Sequence, residues 1–176
     1  NLRQLGLSIA MDLTQERLKD VLYYAPETGI FTRLKNHHRP DLIGVEAGSL
    51  NGEGYRKLRI EGKLYQAHRV AFLYMTGKWP DQDVDHINRA KSDNQWVNLR
   101  NATRSQNSCN KSMISTNTSG VKWVYWSKQR RKWQVNVQID GHFTYLGIYE
   151  DIELAELVAT EAREKFYGEF SATQRT

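Results

Sequence analysis

VDHINRAKSDNQWVNLRNATRSQNSCN, residues Val84 to Asn110, is the stretch on which the reading of this 176-residue chain turns. An acid and a histidine stand side by side at Asp85 and His86. The polar loop NRAKSDN, Asn88 to Asn94, follows, then Asn98 at the head of a short apolar run, and finally Asn107 behind a helix-capping signal. Four side chains able to hold one metal ion and one attacking water thus fall within 23 residues.

Val84 to Ile87 reads as a strand and Leu99 to Ala102 as a second strand returning beside it. Neighbours on a strand point to opposite faces, so Asp85 and His86 diverge unless the strand ends there. Thr103-Arg-Ser-Gln106 has the residues of a capping box, which places Asn107 in the first turn or two of a helix able to fold back across the hairpin. The predicted unit is ββα, about 83–110, and so small a unit needs flanking structure for stability.

Upstream, Thr14 caps a predicted helix running to about Tyr24, with Leu18, Val21 and Leu22 on one face; Pro26 and Gly29 end it. Ile30 to Leu34 reads as a short strand. NHHRPD, Asn36 to Asp41, reads as a loop, since adjacent histidines point apart and no third ligand is near. Tyr55–Ile60 and Lys63–Ala67 form a hairpin across Glu61-Gly62. His68 to Thr76 is an amphipathic helix closed by Gly77 and Pro80; Val70, Ala71, Leu73 and Tyr74 face its core. His68 and Arg69 at its start are within reach of a phosphate or are structural.

Composition bounds the rest. With 39% apolar and 26% charged residues the chain is globular. No run approaches the roughly 18 residues of a membrane helix, and residues 1–10, ahead of Met11, read as an extension outside the fold. A single cysteine, Cys109, excludes an internal disulfide and cysteine-rich zinc sites, so no structural zinc is expected and a reducing, cytoplasmic setting fits. The net charge of +5 and pI near 9.3 suggest a polyanionic partner. That charge is unevenly spread. Residues 111–146 carry six Lys/Arg against one acid, and residues 147–176 carry three against seven.

The ββα unit, with Asp-His on the first strand, Asn before the second and a ligand position on the helix, resembles the HNH nuclease family in its phage- and intron-encoded homing form. Asn107 stands where the name-giving triad ends in histidine, an H-N-N variant, and GYRKLRIEGKLYQAHRVAFLYMTGKWP also resembles the segment preceding the motif in that family. The resemblance covers most of residues 12–110. It implies a ββα-metal (His-Me finger) nuclease domain at 11–110 that hydrolyses DNA phosphodiester bonds. Asp85 and Asn107 would be hard oxygen ligands suited to Mg2+, with Mn2+ an alternative. His86 would take a proton from water, as a side chain titrating near neutral pH can. Asn98 would orient the loop carrying His86, and Arg100 and Arg104 would touch the DNA backbone. Asp83 and Asp93 compete as ligands from less favourable positions.

Ser108 to Gly120 is rich in Ser, Thr and Asn and reads as a linker, centred on 111–117. Three strands follow at about Val121–Trp126, Lys132–Ile139 and His142–Tyr149, the last two joined by Asp140-Gly141, a strong hairpin signal. A helix from about Asp151 to Phe166 carries Ile152, Ala155, Ala159, Ala162 and Phe166 as one stripe. Strand alternation sends Val124, Trp126, Trp133, Val135, Val137, Ile139, Leu146 and Ile148 toward that helix. It leaves Trp123, Tyr125, Phe143, Tyr145, Gln134, Asn136 and Gln138 on the open face. Lys122, Lys128, Arg130, Arg131 and Lys132 flank that face, where Asn and Gln can read base edges and the cations hold phosphates.

The pattern from Ser119 to Glu164 resembles the ethylene-response-factor (APETALA-type) DNA-binding domain, over about residues 118–168, with Trp123 in place of the usual glycine. The expectation is therefore an α+β protein. Its N-terminal mixed α/β region contains the ββα unit, and a three-stranded antiparallel sheet packed on one helix occupies 118–170, with a tail at 171–176. Double-stranded DNA is the expected partner of a monomer or homodimer, with no membrane, in a bacterial host cell if the gene is a phage's. Two other readings stay open: a non-catalytic DNA-binding protein with a degenerate nuclease unit, and an RNA-binding module resting on the exposed aromatics.

Overall fold

The computed structural model describes residues 13–36, 38–111, 113 and 116–171. The extension at 1–10, most of the tail, His37 and three linker residues lie outside that set. Two compact units emerge: the chain up to Pro80 with Lys91–Val97, and Asp81–Ala90 with the chain from Asn98 onward. These units do not follow the expected boundary at 111–117.

In the first unit, α1 (Gln15–Val21) starts at Thr14, whose hydroxyl accepts from Arg17 N. It is shorter than expected, because Leu22–Ala25 leaves the helix as strand β1. Leu18 and Leu22 satisfy a helical step, but Leu22, Tyr23 and Tyr24 alternate buried, exposed, buried, which is a strand period. β1 pairs antiparallel with β2 (Ile30–Arg33), and β3 (Ser49–Leu50), β4 (Arg56–Ile60) and β5 (Lys63–Gln66) form a second small sheet. The β4–β5 turn has positive φ at both Glu61 and Gly62, as a type I′ hairpin turn requires. Helix α2 (Ala67–Thr76) buries Val70, Ala71 and Leu73 and ends at Gly77 in the left-handed conformation. Tyr24 and Phe31 stack at 4.6 Å, and the Tyr24 hydroxyl donates to the Asn94 carbonyl at 2.7 Å. Phe72 meets Trp96 edge-on at 4.8 Å. Residues 91–97 are thereby fastened into this unit, and Gly29 is required at the contact: a Cβ there would lie 2.3 Å from the Asn94 carbonyl carbon.

In the second unit, β6 (Asp83–His86) pairs antiparallel with β7 (Leu99–Ala102), and α3 (Arg104–Asn110) follows, started by the Thr103/Gln106 capping box. Then come β8 (Val124–Ser127), β9 (Lys132–Ile139) and β10 (His142–Tyr149), an antiparallel sheet with β9 in the middle, and α4 (Ile152–Tyr167), capped by Asp151. A short 3-10 turn, Gly168–Phe170, ends the described chain. Ala102 and Cys109 share one apolar cluster with Trp123, Val124, Val135, Val137, Ala155, Ala159, Ala162, Tyr167 and Phe170. The ββα unit and the sheet therefore have a common core.

Four expectations for this region change. Trp123 is buried, because its φ of +69° turns the chain before β8 begins and takes it out of the strand alternation. That backbone region is the one glycine favours. Ile148 lies across from Gln134 on the open face and Tyr149 across from Trp133, because a bulge between Tyr145 and Gly147 inverts the alternation. Phe166 is exposed and Tyr167 is buried in its stead. The segment read as a linker ends in a knot: Asn117 Oδ1 accepts from Ser119 N and Gly120 N, and the Ser119 hydroxyl reaches the carbonyls of Val121 and Val124.

Candidate active site

β6 ends at His86, so the acid and the histidine sit at the last two rungs of the hairpin, Asp85 opposite Arg100 and His86 opposite Leu99. Both are buried, each about 5% exposed. Asn98 is buried behind them. Its side-chain oxygen accepts from Asn88 N at 2.9 Å and its carbonyl from Ile87 N at 2.9 Å. The turn leaving His86 is thus held at two successive peptides.

The Asp85 carboxylate faces α3. Arg100 Nε and Nη2 both reach its Oδ2 at 2.9 Å. The amide of Asn110 donates to Oδ1 and Oδ2 at 3.0 Å and to the His86 carbonyl at 2.9 Å. Asn107, the expected partner of Asp85, instead gives its side-chain nitrogen to Asp83 Oδ2 at 3.1 Å. Asp83 and Asp85 lie two residues apart on one strand face, and Asn107 and Asn110 three apart on one helix face. The two pairs meet rung by rung. Asn110 was missed by sequence reasoning, although the three-residue step from Asn107 would have pointed to it.

Arg100 was expected on the DNA backbone but is committed to Asp85, and its Nη1 donates to the Glu169 carbonyl at 2.8 Å. Lys122 also turns inward. Its ammonium donates to the carbonyls of Cys109 and Lys111, the latter at 2.6 Å, closing the C-terminus of α3. Burial, with the charges of Arg163, Arg89 and Lys111 acting in the same direction, pushes its pKa down to about 8, against the opposing pull of Cys109. Arg69 donates to the Pro80 carbonyl at 3.1 Å, and His68 is buried beside Tyr55. Lys132 pairs with Glu150 at 2.9 Å. Arg104, Lys128, Arg130 and Arg131 are exposed, as are Tyr125, Phe143 and Tyr145, while Gln134, Asn136 and Gln138 are half-buried between them.

The donor set suits a hard divalent ion. Asp85 keeps Oδ1 outside its ion pair, Asn107 bonds Asp83 through nitrogen and not through its amide oxygen, and Asp83 supplies a second carboxylate nearby. Among the described residues no three of His, Cys, Asp and Glu gather around one point. Any ion here would accordingly be held by carboxylate and amide oxygens together.

The HNH endonuclease family profile matches residues 65–109, from β5 to the last turn of α3. Protein 3.8 of Escherichia phage T7 is 32% identical over 90 residues, half of this chain and 72% of that protein. The chain carries a segment of the HNH endonuclease family at residues 65–109. The chain is also 34% identical over 128 residues to an uncharacterized HNH endonuclease, L560, of Acanthamoeba polyphaga mimivirus, spanning 72% of the chain and 65% of the relative. Among solved structures, the HNH homing endonuclease I-HmuI, in a study of its DNA binding and cleavage, aligns over 71% of each chain at 20% identity with a TM-score of 0.40. No helix among the described residues is long and apolar enough to cross a membrane.

Proposed function

We propose that this chain is a metal-dependent endonuclease of the homing type that hydrolyses phosphodiester bonds in double-stranded DNA. The observation that carries the reading is the buried Asp85-His86 pair at the end of β6, with Asn98 tying down the turn behind it. His86 takes the proton of the attacking water, help worth roughly 10²–10⁴ in rate. Asn98 acts through His86 by fixing the peptides of Ile87 and Asn88. Asp85 and Asn107 would hold a divalent ion, magnesium or manganese, which when bound supplies stabilisation of negative charge at the phosphate and the departing oxygen.

The open face of the β8–β10 sheet is the DNA-holding surface in this proposal. Tyr125, Phe143 and Tyr145 stand exposed around Gln134, Asn136 and Gln138, and Lys128, Arg130 and Arg131 crowd the β8–β9 turn. Amides can bond adenine edges while the cations neutralise phosphates. This is the surface used in the ethylene-response-factor reading of the segment.

Supercoiled plasmid tests the proposal. Full-length protein with Mg2+ or Mn2+ should yield nicked or linear DNA, EDTA should abolish this, and His86→Ala should slow it at least about a hundredfold. Undiminished cleavage by His86→Ala, or cleavage in EDTA, would overturn the mechanism. Retention of DNA by a parent protein that never cuts it would favour a binding protein with a silent ββα unit.

A further inference from the structure

We propose that Arg100 and Phe170 are positioning residues that set how tightly Asp85 takes a divalent ion, Arg100 being the ion's built-in competitor. The inference rests on the reading of Asp85 as an ion ligand. The β6–β7 register puts Arg100 directly across from Asp85, and two of its nitrogens converge on Oδ2 at 2.9 Å. Their side chains are only 12% and 6% exposed, so solvent screens the pair little.

An arginine held by a carboxylate alone could swing aside. This one is fixed from behind as well. Its third guanidinium nitrogen, Nη1, donates to the Glu169 carbonyl at 2.8 Å, and its guanidinium carbon lies 3.7 Å from the centre of the Phe170 ring. Phe170 is itself buried in the core of the unit, which anchors the ring. A cation stacked on a desolvated ring is held more strongly than one at the surface.

Oδ2 is therefore occupied by guanidinium and amide donors, while Oδ1, outside the ion pair, accepts from the Asn110 amide. An incoming divalent ion must bind Oδ1 beside a fixed positive charge. Repulsion at that range in a partly dry site is large. The free protein accordingly holds the ion weakly, and a DNA phosphate brought to the site supplies the negative charge that offsets Arg100. The C-terminal turn at Gly168–Phe170, far from Asp85 in sequence, thus tunes its affinity.

Mn2+ titrations of the DNA-free, full-length protein, read by the paramagnetic resonance signal of free Mn2+, test this. Arg100→Gln should bind Mn2+ at least about tenfold more tightly than the parent, and Arg100→Lys, which keeps the charge, within about threefold of it. Phe170→Leu, which keeps bulk and removes the ring face, should tighten binding about two- to fivefold. Circular dichroism establishes that each variant is folded; if Arg100→Gln is not, Phe170→Leu decides. Unchanged or weaker Mn2+ binding by the deciding variant overturns the inference. Asp85→Asn separates the two levels. If it binds Mn2+ like the parent, the ion-ligand reading falls and this inference with it. If it loses Mn2+ while the folded Arg100 and Phe170 variants match the parent, only the competitor role falls.

Discussion

Replacing Asn110 and Asn107 one at a time should separate a structural amide from a chemical one. Both sit on the same face of α3, three residues apart. Asn110 is buried, and its side-chain nitrogen has two hydrogens to place: one is shared between the two Asp85 oxygens and the other goes to the His86 carbonyl. A bond to a charged group contributes about 1.5–3 kcal/mol and a neutral one about 0.5–1.5. Asn110→Ala should therefore destabilise the fold by about 2–4 kcal/mol, which at an ordinary urea slope lowers the midpoint by about 1–2 M. Asn107 makes one exposed bond to Asp83, so Asn107→Ala should cost at most about 1 kcal/mol. If its amide oxygen is a ligand, that same variant should cut plasmid at least about a hundredfold more slowly. Urea melts followed by tryptophan fluorescence, alongside plasmid nicking, read both effects. The reverse pattern, a stable Asn110→Ala and an unstable Asn107→Ala, would refute the seating of α3 on β6.

Three further outcomes are expected. Burial lowers Lys122 from the ordinary 10.5 to about 8, so the unfolded chain holds more protons between those values. The stability this group contributes is present above about 10.5 and lost as pH falls through 8; relative to Lys122→Met the parent should gain about 1–2 kcal/mol from pH 7 to pH 10, after allowance for the amine's partial solvent access. Parallel urea midpoints for the two proteins would contradict it. Gly29→Ala must fit a Cβ within 2.3 Å of the Asn94 carbonyl carbon at a φ of +72°, and should lose about 3 kcal/mol or more, read calorimetrically as a fall in Tm of at least about 6 °C. A shift under 2 °C (about half a kcal/mol) would mean that the turn yields freely. Removing both exposed arginines, Arg130→Ala with Arg131→Ala, should lower the slope of log affinity for duplex DNA against log salt by about 1–2 units. An unchanged slope would take the β8–β9 turn off the DNA surface.

What could be read from sequence follows from the range of the forces involved. Local signals carried most of the elements: the Thr103/Gln106 box starts α3, Asp140-Gly141 closes its hairpin, and the alanine stripe of α4 is buried where alternation and helical spacing put it. The order Asp85, His86, Asn98 was visible because a hairpin brings together residues near in sequence. Long-range pairing was not. Nothing local marks Glu169 and Phe170 as the support of Arg100, or Lys122 as the cap of α3, since those contacts close loops of 69 and 13 residues. Tyr24 deceived because Leu18 and Leu22 fit a helix as well as a helix followed by a strand. The bulge after Tyr145 shifted Ile148 to the other face, and a single extra residue leaves no mark in a period-two pattern.

The chain's path through its two units bears on how such a protein can be inherited. It gives ten residues to one unit after Pro80, returns seven to the other, and leaves again at Asn98. No single crossover in the gene separates the units. A join at the codons for 111–117, where composition suggests a seam, would part α3 from the strands and helix that complete its core. The recipient would inherit an apolar face with nothing to cover it. The sheet and the ββα unit are therefore expected to travel together as one block, and a shuffled library cut at that seam should yield few folded chains.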